Sequence, residues 1–347
     1  MAGSESGGEL LTSLLRDVSR SFYLTLRVLP AAVRPQIGLA YLLARATDTI
    51  ADTEIVPVAG RLRALGQLRA RILGSSSAPL DFRPFLDPAT PQSASAAEQL
   101  LLARIEEALT VLGTLDAADQ KLVRAVLDTI TSGQELDLRR FELERASAGS
   151  EIMPAALASH AELDDYTYRV AGCVGEFWTR ICRAHLFPQA ALDEAGLIRD
   201  GIQFGQGLQL VNILRDLPAD LRKGRCYLPA DQLAGTGLTP RDLLDPANMR
   251  RLQGLYDQYL ALAEARLEAG WRYTNQLPRG QTRARLACAW PILIGVKTLA
   301  KLRTSNVLDA AQRVKISRAD VRSVMIRSVL FYPLTGSWRG LFAWAKR

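Results

Sequence analysis

At 347 residues and 48% hydrophobic side chains, the chain is long enough to bury a substantial core. A formal charge of +7 and a pI near 9.4 favour anionic partners; the basic residues are spread out rather than gathered into an aromatic-interleaved tract, which argues against nucleic acid. Cys173, Cys182, Cys226 and Cys288 form no Cys-x-x-Cys pair and no zinc-like group with His160 and His185, so they read as reduced thiols, and without a leader or an eighteen-residue apolar run a cytoplasmic protein with no membrane span is expected.

The opening MAGSESGG (1–8) reads as a loose tail. Apolar residues then recur at three-to-four spacing over 9–27, 33–54, 58–74, 97–112, 117–145, 160–187, 190–221, 248–276, 281–303 and 318–330, which predicts helices throughout. Period-two strands are absent. Helix breakers cluster at 75–91, 146–154, 224–240 and 275–280. The fold class is therefore all-α. If the segments near 48 and 216 build one site, the chain between them belongs to the same fold, so one domain over 1–347 is expected.

Two Asp-x-x-x-Asp pairs, Asp48/Asp52 and Asp216/Asp220, are the only aspartate pairs at that spacing, and Arg45 and Arg215 stand beside them. Residues i and i+4 of a helix share a face about 5–6 Å apart, so each pair can present two carboxylates to one hard cation. Tyr41, Arg45, Asp48 and Asp52 follow one narrow helical line through otherwise apolar sequence. That pattern predicts a polar stripe facing a cavity. Gly205, Gln209, Asn212, Asp216 and Asp220 repeat the design, interrupted by Pro218. An interior proline removes a backbone hydrogen bond, so the second helix is expected to bend or end there, with Asp220 beyond the bend. One such pair would read as an ordinary surface ion pair worth about 0.3–0.5 kcal/mol. Two, each on a polar line in an apolar helix, point to a metal and phosphate site, because a buried carboxylate without a cation is strongly disfavoured.

Other chemistries find little material. There is no Gly-x-Ser-x-Gly elbow, two histidines give little for a triad, and Gly205-x-Gly207 lacks both the third glycine and the preceding strand of a dinucleotide fingerprint. Those glycines read as sites of close helix or ligand approach. At the C-terminus, 331–347 carries Phe331, Tyr332, Trp338, Phe342 and Trp344 with Arg339, Lys346 and Arg347. This mixture suits either a tail lying in a membrane interface or aromatics docked on the core.

The blocks SRSFYLTLRVLP (19–30), YLLARATDTIAD (41–52), YRVAGCVGE (168–176) and GLQLVNILRDLPADLRKGRCYLP (207–229) together resemble the squalene/phytoene synthase family, in its order and spacing. The resemblance implies an isoprenoid-synthase-type helical bundle around a deep apolar cavity, with the two aspartate motifs facing each other across its mouth. It implies Mg²⁺ held by Asp48, Asp52, Asp216 and Asp220, and diphosphate held by Arg20, Arg45 and Arg215. Ser19, Ser21, Phe22, Tyr41, Gln209 and Asn212 would line the same site, and Lys315 and Arg318 would meet phosphate of substrate or NADPH. The implied substrate is a prenyl diphosphate. The implied reaction is head-to-head condensation of two farnesyl diphosphates through presqualene diphosphate, reduced by NADPH where squalene is the product. In many family members a tyrosine precedes Val-Ala-Gly; here that residue is Arg169, and Tyr168, then Tyr41, are the substitutes for its role. The first block most resembles bacterial squalene-forming members, whereas GRCYLP (224–229) resembles phytoene synthases. Phytoene, dehydrosqualene and presqualene diphosphate therefore stay open as products. A non-catalytic assembly factor of the same fold is disfavoured by two intact aspartate pairs.

Overall fold

Helices follow the periodicity closely. The computed structural model describes residues 13–19, 23–86, 94–143 and 153–347; the expected loose tail 1–8, Arg20, Ser21 and Phe22 lie outside the described residues. The structure is 75% helical. It divides into two compact units, Met1–Leu143 with Arg180–Pro188, and Glu144–Thr179 with Gln189–Arg347.

In the first unit, α1 (Leu15–Ser19), α2 (Tyr23–Val28), α3 (Arg34–Asp52), α4 (Val58–Leu73), α5 (Ala96–Ala103), α6 (Ile105–Thr114) and α7 (Ala117–Asp137) surround α3, and α7 runs on into a π-helical turn, Leu138–Leu143. Proline near its first turn starts α3. Ser95 and Glu98 form a capping box on α5, and Asp116 caps α7. Leu39, Leu42, Leu43, Ala46 and Ile50 are fully enclosed. The C-terminal end of α3 is held by Arg61, which donates to the Ala51 carbonyl at 2.7 Å and pairs with Glu142. Both charged side chains are 3% exposed, so removing either would strand the other charge in the core.

The second unit begins with β1 (Ala155–Ala156) and continues into α8 (His160–Thr167), a π-helical segment Tyr168–Gly172, and α9 (Cys173–Leu186), whose last residues belong to the first unit. Then come α10 (Glu194–Arg222), β2 (Arg225–Cys226), the short α11 (Ala230–Ala234), α12 (Met249–Gln276), α13 (Thr282–Leu302), α14 (Arg318–Phe331) and α15 (Thr335–Ala345). β1 and β2 pair in parallel over two residues, Ala155 with Arg225 and Ala156 with Cys226. A pairing this short leaves no periodicity to find. The four cysteines are buried and none is in a disulfide.

Glycines let α10 lie hard against its neighbours. A Cβ on Gly175 would overlap the carbonyl of Gly201, and one on Gly205 would overlap the carbonyl of Ala171. Gly205 therefore serves helix approach, the first of the two readings its spacing allowed.

One expectation is corrected here. Pro218 does not end α10, which continues to Arg222. Proline at 218 cannot donate to the carbonyl four residues back, Leu214; the buried phenol of Tyr256 on α12 donates to that carbonyl instead, at 3.0 Å. With the orphaned acceptor satisfied from a neighbouring helix, the missing ladder bond costs little and the helix runs on. Asp220 consequently stays on the same helix as Asp216. At 331–347 the structure takes the second of the two readings, aromatics docked on the core. Most of this segment is the docked helix α15, with Trp338 at 2% and Phe342 at 6% exposure. Trp338 stacks on Trp271 with centroids 5.2 Å apart and donates to Asn275 Oδ1 at 2.8 Å. Trp338 and Phe342 belong to the core, and Phe331, Tyr332 and Trp344 are half-buried.

Candidate active site

Between positions 39 and 52 of α3, the residues that are not buried are Tyr41, Ala44, Arg45, Asp48 and Asp52. The polar stripe is the open line of an otherwise enclosed helix. Arg45 donates to Asp48 Oδ2 at 3.1 Å, and its other Nη meets Glu98. Asp48 Oδ1 accepts from Gln134 Nε2 of α7 at 3.0 Å. Burial would raise the Glu98 carboxyl, but the hydrogen bonds from Arg45 and Ser95 outweigh it and hold Glu98 below its usual range, so it stays ionised against the arginine. For Arg45 burial again opposes the charged form, and Glu98 and Asp48 overcome it.

Asp48 behaves in the opposite sense. Desolvation by the surrounding protein, then the charge of Asp52 one turn on, push its carboxyl up from 3.8 to about 6 despite the help of Arg45 and Gln134. Half of its side-chain surface remains open to solvent, 49%, so water moderates the shift and its upward direction is what matters. Asp52 is exposed and has no ion-pair partner among the described residues. Two carboxylates that repel each other on one open line, with one arginine already shared with Glu98, are a hard-oxygen donor set with a charge deficit. This fits Mg²⁺, which takes one or two carboxylates and completes its shell with water and phosphate oxygens.

On α10 of the second unit the arrangement is local. Arg215 clasps the carboxylate next to it, Asp216, through Nε at 2.9 Å and through Nη2. That hydrogen bond raises the arginine above its ordinary value against burial, with the charges of Asp216 and Asp220 adding to it. Asp216 and Asp220 are half-buried, and Asn212, exposed, donates to Gln209 Oε1 at 3.5 Å. These donors too suit a divalent cation and a phosphate.

The remaining expected residues lie on other elements. Ser19 is buried at the end of α1, its hydroxyl without a partner among the described residues. Tyr168 opens the π-helical segment, a geometry frequent at functional sites; burial, then the negative charge of Glu176, raise its phenol above the usual value. Arg169 is turned to Asp165 at 2.8 Å. Lys315 and Arg318 are exposed around the start of α14, where Ser317 and Asp320 form a capping box.

Sequence reasoning missed Glu98, Gln134 and Tyr256. The Ser95-x-x-Glu98 capping signature was legible and would have placed Glu98 at a helix start; nothing local marks the other two. It also missed a cluster in the first unit, Asp116, Asp119 and His185. Asp119 already accepts from Gln36 at 2.8 Å and meets His185 at 2.8 Å, and Asp116 caps α7, so the cluster ties helices together.

A profile of the squalene/phytoene synthase family matches residues 15–320, which include both aspartate helices. The chain belongs to the squalene/phytoene synthase family. Members are prenyltransferase-type enzymes acting on prenyl diphosphates, and the fold is that of the isoprenoid synthases. A 15-cis-phytoene synthase of Enterobacter agglomerans is 29% identical over 220 residues, which cover 57% of this chain and 68% of that protein. The structure of TcSQS with the ligand BPH1237 superposes with a TM-score of 0.77 at 19% identity, covering 99% of this chain and 91% of that one. Squalene synthase HpnC from Alicyclobacillus acidocaldarius gives a TM-score of 0.60 at 18% identity, covering 86% and 94%. At these identities the structural likeness speaks for the fold alone.

Proposed function

We propose that this squalene/phytoene synthase family member condenses two farnesyl diphosphates head to head, through presqualene diphosphate, to squalene. The observation that carries the reading is the charge-deficient Asp48/Asp52 line beside an arginine fixed by Glu98, repeated in kind by Arg215, Asp216 and Asp220. Asp48, Asp52, Asp216 and Asp220 are assigned to hold Mg²⁺, which when bound neutralises charge on the departing diphosphate. Arg45 and Arg215 take diphosphate oxygens through their planar forks. Ionisation breaks the bond from carbon to diphosphate oxygen, and the allylic cation alkylates the double bond of the second substrate. Tyr168, with Tyr41 as the second candidate, is assigned to proton handling as the cyclopropane closes. The reading requires that water be kept from the cations. Presqualene diphosphate then loses its own diphosphate by a second ionisation, and NADPH, when bound, would supply hydride to the rearranged cation, with Lys315 and Arg318 assigned to its phosphates. Gln209, Asn212 and Ser19, with Arg20, Ser21 and Phe22, complete the substrate contacts.

The name of the Enterobacter relative favours a second reading, phytoene from the C20 diphosphate with no hydride step. Purified protein is incubated with farnesyl or geranylgeranyl diphosphate and Mg²⁺, with and without NADPH. Squalene formed from the C15 substrate only when NADPH is present supports the first reading. Phytoene from the C20 substrate, or dehydrosqualene irrespective of NADPH, overturns it.

A further inference from the structure

With the aromatics of the C-terminal region docked inward, the surface they leave is unusual. On α14, Val324 and Ser328 face the core, while Ile326, Val329 and Leu330 are 51%, 53% and 63% exposed, and Leu334 at the next turn is 57% exposed. Ile326, Val329 and Leu330 step by three and four along α14, so they form one outward stripe, and Leu334 follows just beyond its end. They are four of the eight large hydrophobic residues most exposed among the described ones, concentrated on a single corner of the second unit. Scattered apolar residues need no explanation, whereas a contiguous patch marks a contact surface.

The charge around the stripe is one-sided. Residues 318–347 contain six lysines and arginines against one acid, Asp320, and Asp320 is already engaged by Lys301 at 3.2 Å and by the Ser317 hydroxyl. Under the same corner lies Arg285, 5% exposed and without a carboxylate partner among the described residues. Its Nη2 donates to Asn275 at 3.0 Å, its guanidinium sits 5.4 Å from the ring centroids of Tyr332 and Trp338, and its Nε has no hydrogen-bond partner. The charges of Arg279 and Arg339 bear on it with the same sign. Arg279 reaches the Pro333 carbonyl at 3.3 Å beside Leu334, and neither it nor Arg339 has a carboxylate partner among the described residues.

We propose that the α14–α15 corner is a docking surface for an anionic lipid bilayer. Ile326, Val329, Leu330 and Leu334 enter the boundary between headgroups and acyl chains, and Arg279, Arg339 and Arg322 meet lipid phosphate. Charge complementarity selects this occupant. A second copy of the chain would present the same cationic patch to itself, since a two-fold interface pairs a surface with its own image; an anionic bilayer supplies the missing counter-charge and receives the leucines together. No helix among the described residues is long and apolar enough to cross a membrane, so the contact is peripheral. The residues assigned to the bilayer, Arg279, Arg322 and Arg339 with the apolar stripe, are distinct from those assigned to the condensation.

The full chain is sedimented with vesicles of phosphatidylcholine alone and of phosphatidylcholine mixed with phosphatidylglycerol. Binding to the anionic vesicles only, weakened by salt, is expected. Each juxtamembrane arginine contributes about fivefold, so Arg339→Glu lowers the partition coefficient by more than about fivefold. The triple variant Ile326→Ser, Leu330→Ser and Leu334→Ser lowers it by at least about tenfold with an unchanged circular-dichroism melt, because all three side chains are exposed. Wild-type protein left in the supernatant, equal binding to both vesicle types, or variants that sediment as wild type would overturn the proposal. So would a wild-type dimer in size exclusion that the triple variant dissociates, which would assign the stripe to a second copy.

Discussion

The two aspartate helices carry the same motif and are fixed in opposite ways. On α3, side chains from distant segments hold the motif: Gln134 grips Asp48, Glu98 grips Arg45, and Arg61 caps the helix end at Ala51. On α10 the motif's own neighbours suffice, Arg215 on Asp216, and the placement is fixed through the backbone, by the glycine contacts at 201 and 205 and by Tyr256 on the carbonyl that Pro218 leaves open. A motif can thus be aimed by a polar network or by backbone packing. The first kind is sensitive to polar substitutions, the second to changes of shape.

The largest effect tests what the helices share. Asp48→Ala and Asp216→Ala each remove a metal donor and should lower turnover about 10³-fold or more, since the metal contributes several kcal/mol of charge stabilisation. Steady-state rates on folded variants check this, and wild-type rates in either would end the metal assignment for that helix.

The next effects separate them. Gln134→Leu and Glu98→Gln should lower kcat about 10- to 100-fold, the usual range for groups that orient metal ligands, while the fold survives. Single-turnover rates decide. On α10 the corresponding change is Tyr256→Phe, which leaves a buried carbonyl unsatisfied and should cost about 1–3 kcal/mol of stability. In a Pro218→Ala background residue 218 regains its N–H and satisfies Leu214, so Tyr256→Phe should then cost clearly less. Denaturant midpoints of the four proteins measure the coupling; equal costs in both backgrounds would remove the explanation for the uninterrupted helix.

The smallest effect is in pH. The folded-state carboxyl of Asp48 titrates near 6 against an ordinary 3.8, so the folded protein holds this proton more tightly than the unfolded chain. Its contribution to stability is fully present below about 3.8 and is lost as pH rises through about 6. The metal-free wild type should therefore lose stability relative to Asp48→Asn over that interval, and adding Mg²⁺ at neutral pH should restore it. Melting temperatures across the range test the sign; a difference that is flat in pH would contradict the repulsion between Asp48 and Asp52.

Most helices were legible because apolar spacing at 3.6 residues is a local signal, and the polar line Tyr41, Arg45, Asp48, Asp52 lies within one helix. What joins helices was not legible. Gln134 is 86 residues from Asp48, and the proline rule applied at Pro218 is correct for an isolated helix and fails here because a phenol 42 residues away from Leu214 supplies the missing donor. The aromatic C-terminus looked the same in sequence whether it was docked or free; packing of Trp338 on Trp271 decided it. The outward stripe of α14 emerged only after the aromatics had been accounted for.

The most direct test of a metal-dependent diphosphate site is the release of inorganic diphosphate from farnesyl diphosphate by the wild-type protein, with Mg²⁺ and then with excess chelator. Release that requires Mg²⁺ and is restored when the cation is returned is the predicted result. Release at the same rate in chelator would contradict the assignment of both aspartate pairs.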